Sequence, residues 1–361
     1  MMKMKALAIT HKGAEDFSAS EIVELSNAKI LESFNGFILF EIDNLENLKK
    51  LCFFGQSFFR ILELIDDFTS NNIIEYLLKK NVKINSSFRV KCTRQGQHDF
   101  NSNDIEKKFG ESLLKLNPNS NVDLNNPEKI IHVYILDNRC FICDDLSIYD
   151  LSKRDYKIFI HPASIKGTLA YLMLKIAEYK KGNVLVDPFC GSGTIPIEAA
   201  LYSNKISPHH FSKNRFNFEI DVDKINIKNK NIYGYDFLLK NIIAARKNAK
   251  IAGIESSINF SKIEISWIDS KFEESEVDCI VTNPPKLSKH LLEKDFIKLM
   301  DEFFYQSKFV LNKKGVLVLL SNQKSMPIIE DCAKKHSFKK NLFLPIDIGS
   351  EDLNIVRFIK I

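Results

Sequence analysis

The fold is decided by the stretch Val184-Leu-Val-Asp-Pro-Phe-Cys-Gly-Ser-Gly-Thr-Ile-Pro-Ile-Glu-Ala-Ala200. An apolar run from Val184 to Val186 ends at Asp187-Pro188. The glycines of Gly191-Ser-Gly193 tolerate positive φ angles, and Pro196 suits the first turn of a helix. The stretch therefore predicts a strand, a glycine loop and a helix. Such a loop lets a cofactor approach the backbone closely, because glycine has no Cβ.

Three kinds of ligand compete for this loop. A phosphate-binding P-loop requires Gly-Lys-Ser/Thr, whereas Thr194 and Ile195 follow Gly193, so this interpretation fails. A dinucleotide loop holds a pyrophosphate, which the charges of Asp187 and Glu198 would oppose. S-adenosylmethionine has no phosphate and carries an amino group and a sulfonium cation. The acidic strand end therefore favours S-adenosylmethionine.

Two later segments supply the other polar groups of the predicted site. Asp236 ends a strand, where a carboxylate can accept hydrogen bonds from both ribose hydroxyls of a nucleoside cofactor. Asn283-Pro-Pro285 ends another strand. The side-chain carbonyl of Asn283 and the main-chain carbonyl of Pro284 can accept both hydrogens of an exocyclic amine and favour a pyramidal nitrogen. The pattern predicts in-line methyl transfer without a covalent intermediate and without a metal.

The chain after residue 166 has the alternating pattern of a doubly wound α/β sheet. Its strands are nearly continuous in apolar residues, as expected of parallel strands covered on both faces. The last two strands are too close in sequence for a helical crossover and should form an antiparallel edge hairpin. The predicted strands are 184–187, 231–235, 257–263, 277–282, 315–321, 340–345 and 353–360, and the helices are 195–203, 238–252, 288–310 and 325–336.

The N-terminal part divides into two α+β patterns. The first has the order βαββαβ of a ferredoxin-like unit, with a hairpin turn at Asn35-Gly36. Its elements are predicted at 5–10, 14–26, 28–33, 36–42, 44–53 and 58–65. In the second pattern, helices are predicted at 71–80 and 103–116 and strands at 87–92, 130–135 and 140–143.

These segments resemble a known family. Asp187-Pro-Phe-Cys-Gly-Ser-Gly-Thr194 and Thr282-Asn-Pro-Pro285 resemble the first and fourth motifs of class I methyltransferases that act on exocyclic amines. Phe88-Arg-Val-Lys-Cys-Thr-Arg-Gln-Gly-Gln-His98 and Val122-Asp-Leu-Asn-Asn-Pro127 resemble a THUMP domain. Together they resemble the THUMP-domain RNA guanine-N2 methyltransferases of the archaeal and bacterial tRNA type. The resemblance implies a ferredoxin-like domain (1–66), a THUMP domain (67–150), a polar linker (151–165) and a Rossmann-fold class I methyltransferase domain (166–361).

The resemblance also implies roles for individual residues. Asp269 would hydrogen-bond the adenine amine, although a plain loop acid is the alternative. Ser164 would contact the cofactor, or else Ser164 and His161 only cap the next helix. The implied catalytic residues are Asn283, Pro284 and Pro285. The implied S-adenosylmethionine residues are Ser164, Asp187, Phe189, Cys190, Gly191, Ser192, Gly193, Thr194, Asp236, Asp269 and Asn283.

A donor-rich strand and loop lies between residues 89 and 98. Arg89 and Lys91 alternate along a strand and so share a face, where they can hold phosphates and ribose hydroxyls of an RNA end. Solvated surface charges are the simpler alternative. With the resemblance, the predicted partner is the acceptor end of tRNA. The predicted RNA contacts are Arg89, Lys91, Arg94, Gln95, His98, Lys107, Arg154 and Lys286.

Lys286 departs from the family pattern, which places Tyr or Phe after Asn-Pro-Pro to stack on the flipped base. Stacking would then come from Phe189 or Phe159. Lys286 itself can bind a phosphate, or its presence can mean weakened catalysis.

Composition sets further bounds. The net charge of +5 requires any nucleic-acid binding to come from local patches. Seven scattered cysteines suit a reducing cytoplasm, and Cys140 and Cys143 would face opposite sides of a strand instead of sharing a zinc ion. Adjacent His209 and His210 lack ligand partners nearby and predict a surface loop. No signal peptide or membrane span fits the first residues. We expect a cytoplasmic monomer without a metal.

The leading functional hypothesis is S-adenosylmethionine-dependent methylation of the N2 amine of a guanosine in tRNA. The same chemistry on ribosomal RNA, or on the N6 amine of adenine, is the first alternative, because Asn-Pro-Pro fits any planar amine. A non-catalytic RNA-binding protein that retains the fold is the alternative from another class.

Overall fold

A computed structural model describes residues 3–221, 226–227, 229–288, 291–347 and 352–361. Its first six elements are β1 Met4–Ile9, α1 Glu15–Ser26, β2 Lys29–Phe34, β3 Phe37–Ile42, α2 Leu45–Phe54 and β4 Arg60–Thr69. The strands lie in the order β4-β1-β3-β2, and every neighbouring pair is antiparallel. This order confirms the predicted ferredoxin-like arrangement.

The second unit continues the same sheet. Its elements are α3 Ile73–Lys79, β5 Ser87–Gln95, α4 Ser102–Leu116, β6 Asn121–Val122, β7 Lys129–Leu136 and β8 Arg139–Asp145. Strand β8 pairs antiparallel with β4, which gives one eight-stranded sheet, β2-β3-β1-β4-β8-β7-β5-β6. The boundary predicted at 66–67 therefore falls inside β4. Because β4 pairs on both sides, neither unit leaves an open edge there.

Side-chain alternation gives this sheet a helix-covered face and an open face. Ile61 and Ile142 pack with the helices in two large clusters. Leu62 and Cys143, one residue further along each strand, belong to a separate cluster on the opposite face. Cys140 and Cys143 thus face opposite sides of β8, as predicted.

The C-terminal half contains α5 Gly167–Ile176, β9 Leu185–Asp187, α6 Thr194–Asn204, β10 Ile232–Asp236, α7 Leu239–Ile251, β11 Ile258–Lys262, β12 Val277–Thr282, α8 Glu293–Val310, β13 Leu311–Asn322, α9 Met326–Lys335, β14 Phe338–Asp347 and β15 Asp352–Lys360. The order is β11-β10-β9-β12-β13-β15-β14. Strands β9 to β13 are parallel, and β15 is antiparallel to both β13 and β14. The doubly wound sheet and its closing hairpin are confirmed. Helix α8 begins at Glu293 instead of 288, and residues 289 and 290 of the predicted helix lie outside the described part.

The segment predicted as a polar linker is instead packed between the two halves. Leu151, Arg154 and Tyr156 are all buried. The Nε of Arg154 lies 2.8 Å from Oε1 of Glu198 on α6, and the hydroxyl of Tyr156 donates to the same oxygen at 2.7 Å. Gln56, from the N-terminal half, donates to the other carboxylate oxygen at 2.7 Å. The buried carboxylate of Glu198 therefore accepts from three side chains and joins the two halves.

Two sequence predictions at this ion pair are wrong. Arg154 was predicted to contact RNA, but its guanidinium is buried and bonded to Glu198. Glu198 was expected to repel a phosphate in the glycine loop, but its carboxylate is turned towards Arg154. Burial alone would raise the pKa of Glu198, and the charge of Arg154 and its hydrogen bonds hold that pKa below its ordinary value.

The segment 205–221, which we call the clasp, crosses from the C-terminal half back to the N-terminal half. The side chains of Phe216, Phe218 and Ile220 join the core of the ferredoxin-like unit. His209 is buried, and its Nδ1 lies 3.2 Å from the hydroxyl of Tyr149. The prediction that His209 lies in a surface loop is therefore wrong, because the clasp packs against another domain. Residues 222–225 and 228, between α6 and β10, lie outside the described residues.

Three predicted absences can be compared with the described residues. All seven cysteines are free. Within the described ranges, no three His, Cys, Asp or Glu side chains come together as a metal site. No helix in that part of the chain combines the length and apolarity needed to cross a membrane.

Candidate active site

The carboxyl ends of β9, β10 and β12 are neighbours in the sheet and open into a cavity of about 840 Å³. Ligands of open α/β sheets bind at this edge. The cavity lies within the size range of small-molecule sites, about 300–1,000 Å³. The predicted site residues that line it are Ser164, Asp187, Phe189, Cys190, Gly191, Ser192, Thr194, Asp236, Asn283, Pro284, Pro285 and Lys286.

The glycine loop has the conformation that its sequence requires. Gly191 and Gly193 have φ angles of 52° and 84°, and α6 begins at the next residue, Thr194. A Cβ on Gly193 would lie 2.9 Å from the Cβ of Ala245 and 3.1 Å from the ring of Phe260. Both the backbone angle and the close packing therefore exclude a larger residue at this position.

Asp236 is held at the tip of β10 by three donors. Its Oδ1 accepts from the N–H of Leu238 at 2.9 Å and from Nδ2 of Asn241 at 3.0 Å. Its Oδ2 accepts from the N–H of Gly191 at 3.1 Å. The carboxylate is thus oriented towards the glycine loop, with lone pairs remaining on Oδ2. Asn241, which also lines the cavity, was not recognised in the sequence.

Asp187 is buried at the end of β9. It accepts hydrogen bonds from the hydroxyl of Thr282 at 2.6 Å and from the N–H of Phe189 at 3.2 Å. Burial, together with the charge of Asp236, raises the pKa of Asp187 to about 7, although both hydrogen bonds act in the opposite direction. An exposed aspartate would carry a permanent charge at this pH. In the folded chain Asp187 is poised between its two protonation states near neutral pH.

Asn283 follows β12, lines the cavity and has an unpaired side-chain oxygen. Its Nδ2 donates to the carbonyl oxygen of Ala163 at 3.0 Å. Its Oδ1 is shielded from solvent and has no hydrogen-bond partner. Buried acceptors are nearly always paired in folded proteins, and an exception calls for a functional explanation.

The approach segment, residues 157–166, connects Asn283 to the glycine loop. The carbonyl of Ala163 accepts from Asn283, and the hydroxyl of Ser164 lies 3.2 Å from that of Thr194 and accepts from Ser192 at 3.3 Å. Helix α5 has no side-chain cap, so the alternative in which Ser164 caps it is not observed. Asn248 of α7 holds Phe159 through both backbone atoms and also donates to the carbonyl of Ser192 at 3.0 Å.

The N-terminal half also reaches this cavity. His11 lines it, and the Nε2 of this buried imidazole lies 2.9 Å from the hydroxyl of Thr168. The ring packs edge-on against Phe59, with 4.7 Å between centroids. Burial, and then the charge of Lys166, lower the pKa of His11 to about 4, so the imidazole is neutral at physiological pH. No local sequence pattern distinguished His11.

Some predicted site residues lie away from the cavity. Asp269 is exposed, its backbone N–H donates to Gln306 at 3.0 Å, and it does not line the cavity. Phe159 is also outside the lining, with Lys247 4.7 Å from its ring centre. Phe189 does line it and packs against Phe303. Phe237, beside Asp236, is 55% exposed and was missed.

The predicted RNA contacts of the THUMP region fall on two faces of the sheet. Phe88 and Val90 face the helices, so Arg89, Lys91 and Gln95 face the open side. Arg94 lies on the helix side, 3.4 Å from Nδ1 of His98. Helix α4 packs on that same face, and its Lys107 and Lys108 are exposed there.

The open face carries a cationic cluster that the sequence showed only in part. Burial, and then the charges of Arg60 and Arg89, lower the pKa of Lys91. Arg60 forms an ion pair with the buried carboxylate of Asp145. Lys91 thus lies near two other cations, one of them from the ferredoxin-like unit, and near the carboxylates of Asp145 and Glu106.

Comparison with known proteins gives two family matches. Residues 154–347 match the family described as RMKL-like, methyltransferase domain, and residues 66–145 match the THUMP domain.

Named relatives and a solved structure are also similar. A tRNA (guanine(6)-N2)-methyltransferase of Methanocaldococcus jannaschii is 33% identical over 277 residues, which is 72% of either chain. Its namesake in Archaeoglobus fulgidus is 32% identical over 65% of this chain and 60% of its own. The crystal structure of TrmN from Thermus thermophilus has a TM-score of 0.77 at 22% identity and covers 99% of this chain and 100% of its own.

Proposed function

Because the chain belongs to the RMKL-like methyltransferase family and carries a THUMP domain, we propose that it methylates the exocyclic N2 amine of a guanosine in tRNA with S-adenosylmethionine. The observation that carries this function is the unpaired Oδ1 of Asn283 beside the glycine loop. Methyltransferases that act on planar amines need an acceptor at this position, because the amine must be oriented before its lone pair can attack.

The residues around the loop fit S-adenosylmethionine. Gly191 lines the cavity and has no side chain, so a ligand can lie against its backbone. Asp236 has lone pairs on Oδ2 for a ribose hydroxyl, and Asp187 can balance a cation once it loses its proton. When bound, this cofactor supplies an electrophilic methyl group on a sulfonium sulfur. Phe237, exposed next to Asp236, supplies an apolar surface on which an adenine ring can lie.

Asn283 and Pro284 act on the methyl acceptor. The Oδ1 of Asn283 and the carbonyl of Pro284 accept the two hydrogens of the amine and point its nitrogen towards the glycine loop. The bond from Asn283 to Ala163 fixes which side-chain atom faces the amine. The contribution of the chain is therefore orientation and charge stabilisation, and no side chain forms a covalent bond with the substrate.

The THUMP region would bind the acceptor end of the tRNA. Arg89 and Lys91, on the open sheet face with Arg60, can hold RNA phosphates. Net charge is only +5, so a local cluster of this kind is what RNA binding requires.

Incubation with labelled S-adenosylmethionine and unmodified tRNA, followed by nucleoside mass spectrometry, tests the function. We expect N2-methylguanosine from the natural chain and none from Asn283→Ala. Asn259→Ala, which removes an exposed amide on β11, is the matched control and should leave the yield unchanged. Product on adenine N6, or on ribosomal RNA in preference to tRNA, would establish the alternative substrates instead. A lack of product on any RNA would contradict the proposal.

A further inference from the structure

The sheet order divides the active-site cavity into two sides. Asp236 ends β10, Asn283 follows β12, and Leu353, which also lines the cavity, lies on β15. Since the strands run β10-β9-β12-β13-β15, Asn283 lies between the other two. The cavity-lining carboxylates, Asp187 and Asp236, belong to β9 and β10. The cofactor would therefore occupy one side of Asn283, and the methyl acceptor must come from the other.

The N-terminal half closes this second side. The turn between β1 and α1 packs so tightly on β14 that a Cβ on Gly13 would lie 2.6 Å from the carbonyl oxygen of Pro345. This contact places His11 in the wall of the cavity, bonded to Thr168. The acceptor side is thus built by two domains.

Lys166 is the cation of this wall. It is exposed, it lines the cavity, and its Nζ lies 4.9 Å from the centre of the Phe59 ring. Phe59 itself packs against His11. A cation held over an aromatic face loses part of its mobility, so a second partner can bind it at lower entropic cost. Lys286 adds a further positive charge to the cavity.

A flipped nucleotide brings its phosphates with its base. If the amine of the base meets Asn283, the sugar-phosphate must lie on the side away from the cofactor, where Lys166 is found. Lysine and phosphate form strong charge-assisted hydrogen bonds. A neutral, buried imidazole such as His11 can line the same wall without competing for the phosphate.

We propose that Lys166, supported by Phe59 and His11, binds a phosphate next to the target guanosine, so that the N-terminal half forms part of the catalytic site. This inference rests on the proposed function. It identifies the side of the cavity that binds the nucleotide carrying the methyl acceptor. It gives the N-terminal half a second task besides support of the RNA-binding face.

The experiment combines a protein change with an RNA change. Methyl transfer is measured at saturating S-adenosylmethionine with unmodified tRNA and with tRNA whose phosphates flanking the methylated guanosine are replaced one at a time by neutral methylphosphonates. We expect Lys166→Ala to lower kcat/KM for tRNA about tenfold or more, and one methylphosphonate to have the same effect on the natural chain. When the Lys166→Ala chain is tested on the methylphosphonate tRNA, kcat/KM should be little lower than with either change alone, because both remove the same contact.

Controls separate this role from folding and from cofactor binding. Lys166→Arg should retain most activity, and the affinity for S-adenosylmethionine should be the same in all variants. Lys181→Ala, an exposed lysine in the turn before β9, should behave as the natural chain does. His11→Ala should raise KM for tRNA more than it lowers kcat, measured well below its melting temperature, which the loss of a buried imidazole will lower.

The outcomes also separate the inference from the proposed function. Suppose that the natural chain methylates tRNA. If Lys166→Ala is equally active, or if the protein and RNA changes lower kcat/KM independently so that their effects multiply, the inference is overturned while the function stands. If the natural chain transfers no methyl group to tRNA, the function and the inference that rests on it both fall.

Discussion

The amide nitrogen of Asn283 donates a hydrogen bond to the carbonyl oxygen of Ala163 at 3.0 Å, and the amide oxygen is left buried and unpaired. One contact thus determines which end of the amide is left without a partner. Since Ala163 belongs to the approach segment, which is also bonded to the glycine loop through Ser164, the two sides of the site are positioned together.

This contact distinguishes asparagine from aspartate at position 283. Asn283→Asp keeps the shape of the side chain but removes the donor, so a carboxylate oxygen would face the carbonyl of Ala163 and be repelled. We expect kcat for methyl transfer to fall about 100-fold or more, as for loss of an oriented catalytic amide. Single-turnover rates measure the effect. Activity close to that of the natural chain would show that Ala163 does not orient Asn283.

Binding of S-adenosylmethionine should depend on the protonation of Asp187. The pKa of Asp187 is raised to about 7, so the carboxyl group is neutral below that pH and charged above it. A cationic ligand prefers the charged form, and affinity should therefore rise about tenfold between pH 5.5 and 7. Over this range the amino group of the cofactor stays protonated. Calorimetry measures the effect, and Asp187→Asn should bind weakly with a flat pH profile. If affinity rises equally with pH in the natural chain and in Asp187→Asn, Asp187 is not the responsible group.

The buried ion pair between Arg154 and Glu198 should be essential for stability. Glu198→Ala leaves a buried guanidinium without its partner, which costs about 3–5 kcal/mol in comparable cases. Urea unfolding monitored by tryptophan fluorescence and circular dichroism gives the free energy of unfolding. Glu330→Ala, which breaks the exposed pair with Lys340, is the control and should change the free energy of unfolding little. Similar unfolding midpoints for both variants would contradict a structural role for the pair.

The open face of the N-terminal sheet should bind RNA through its charges. Arg89→Gln and Lys91→Gln should each weaken tRNA binding and reduce the slope of log affinity against log salt by about one. Filter binding over a range of salt concentrations measures both quantities. Lys107→Gln, on the opposite face, separates the two parts of the predicted patch. If only Lys107→Gln changes the slope, the RNA lies on the helix side.

The residues that sequence alone located are those whose role depends on local chain geometry. Gly191 and Gly193 need positive φ angles, and Asp187, Asp236 and Asn283 each follow an apolar strand whose end reaches the same sheet edge. Strand order in doubly wound sheets follows general rules, so these ends could be brought together without coordinates.

The residues that sequence placed wrongly, or missed, depend on partners far along the chain. Arg154 and Glu198 are 44 positions apart, and each looks like a surface charge in isolation. His11 meets Thr168 across 157 positions. His209 lies in a segment rich in turn-forming residues, yet that segment packs on another domain. The signal for such contacts is tertiary, and local periodicity does not contain it.

The clasp has a consequence for biosynthesis. Phe216, Phe218 and Ile220 complete a core whose other residues come from the first 61 positions and from Leu146, Tyr149 and Leu151. A nascent chain emerges from the ribosome amino end first, and domains generally fold in that order. Here the ferredoxin-like unit emerges before the clasp and keeps part of its apolar surface uncovered until about 70 further residues have been translated after Leu151. Chaperones would meet this protein as an unfinished N-terminal sheet.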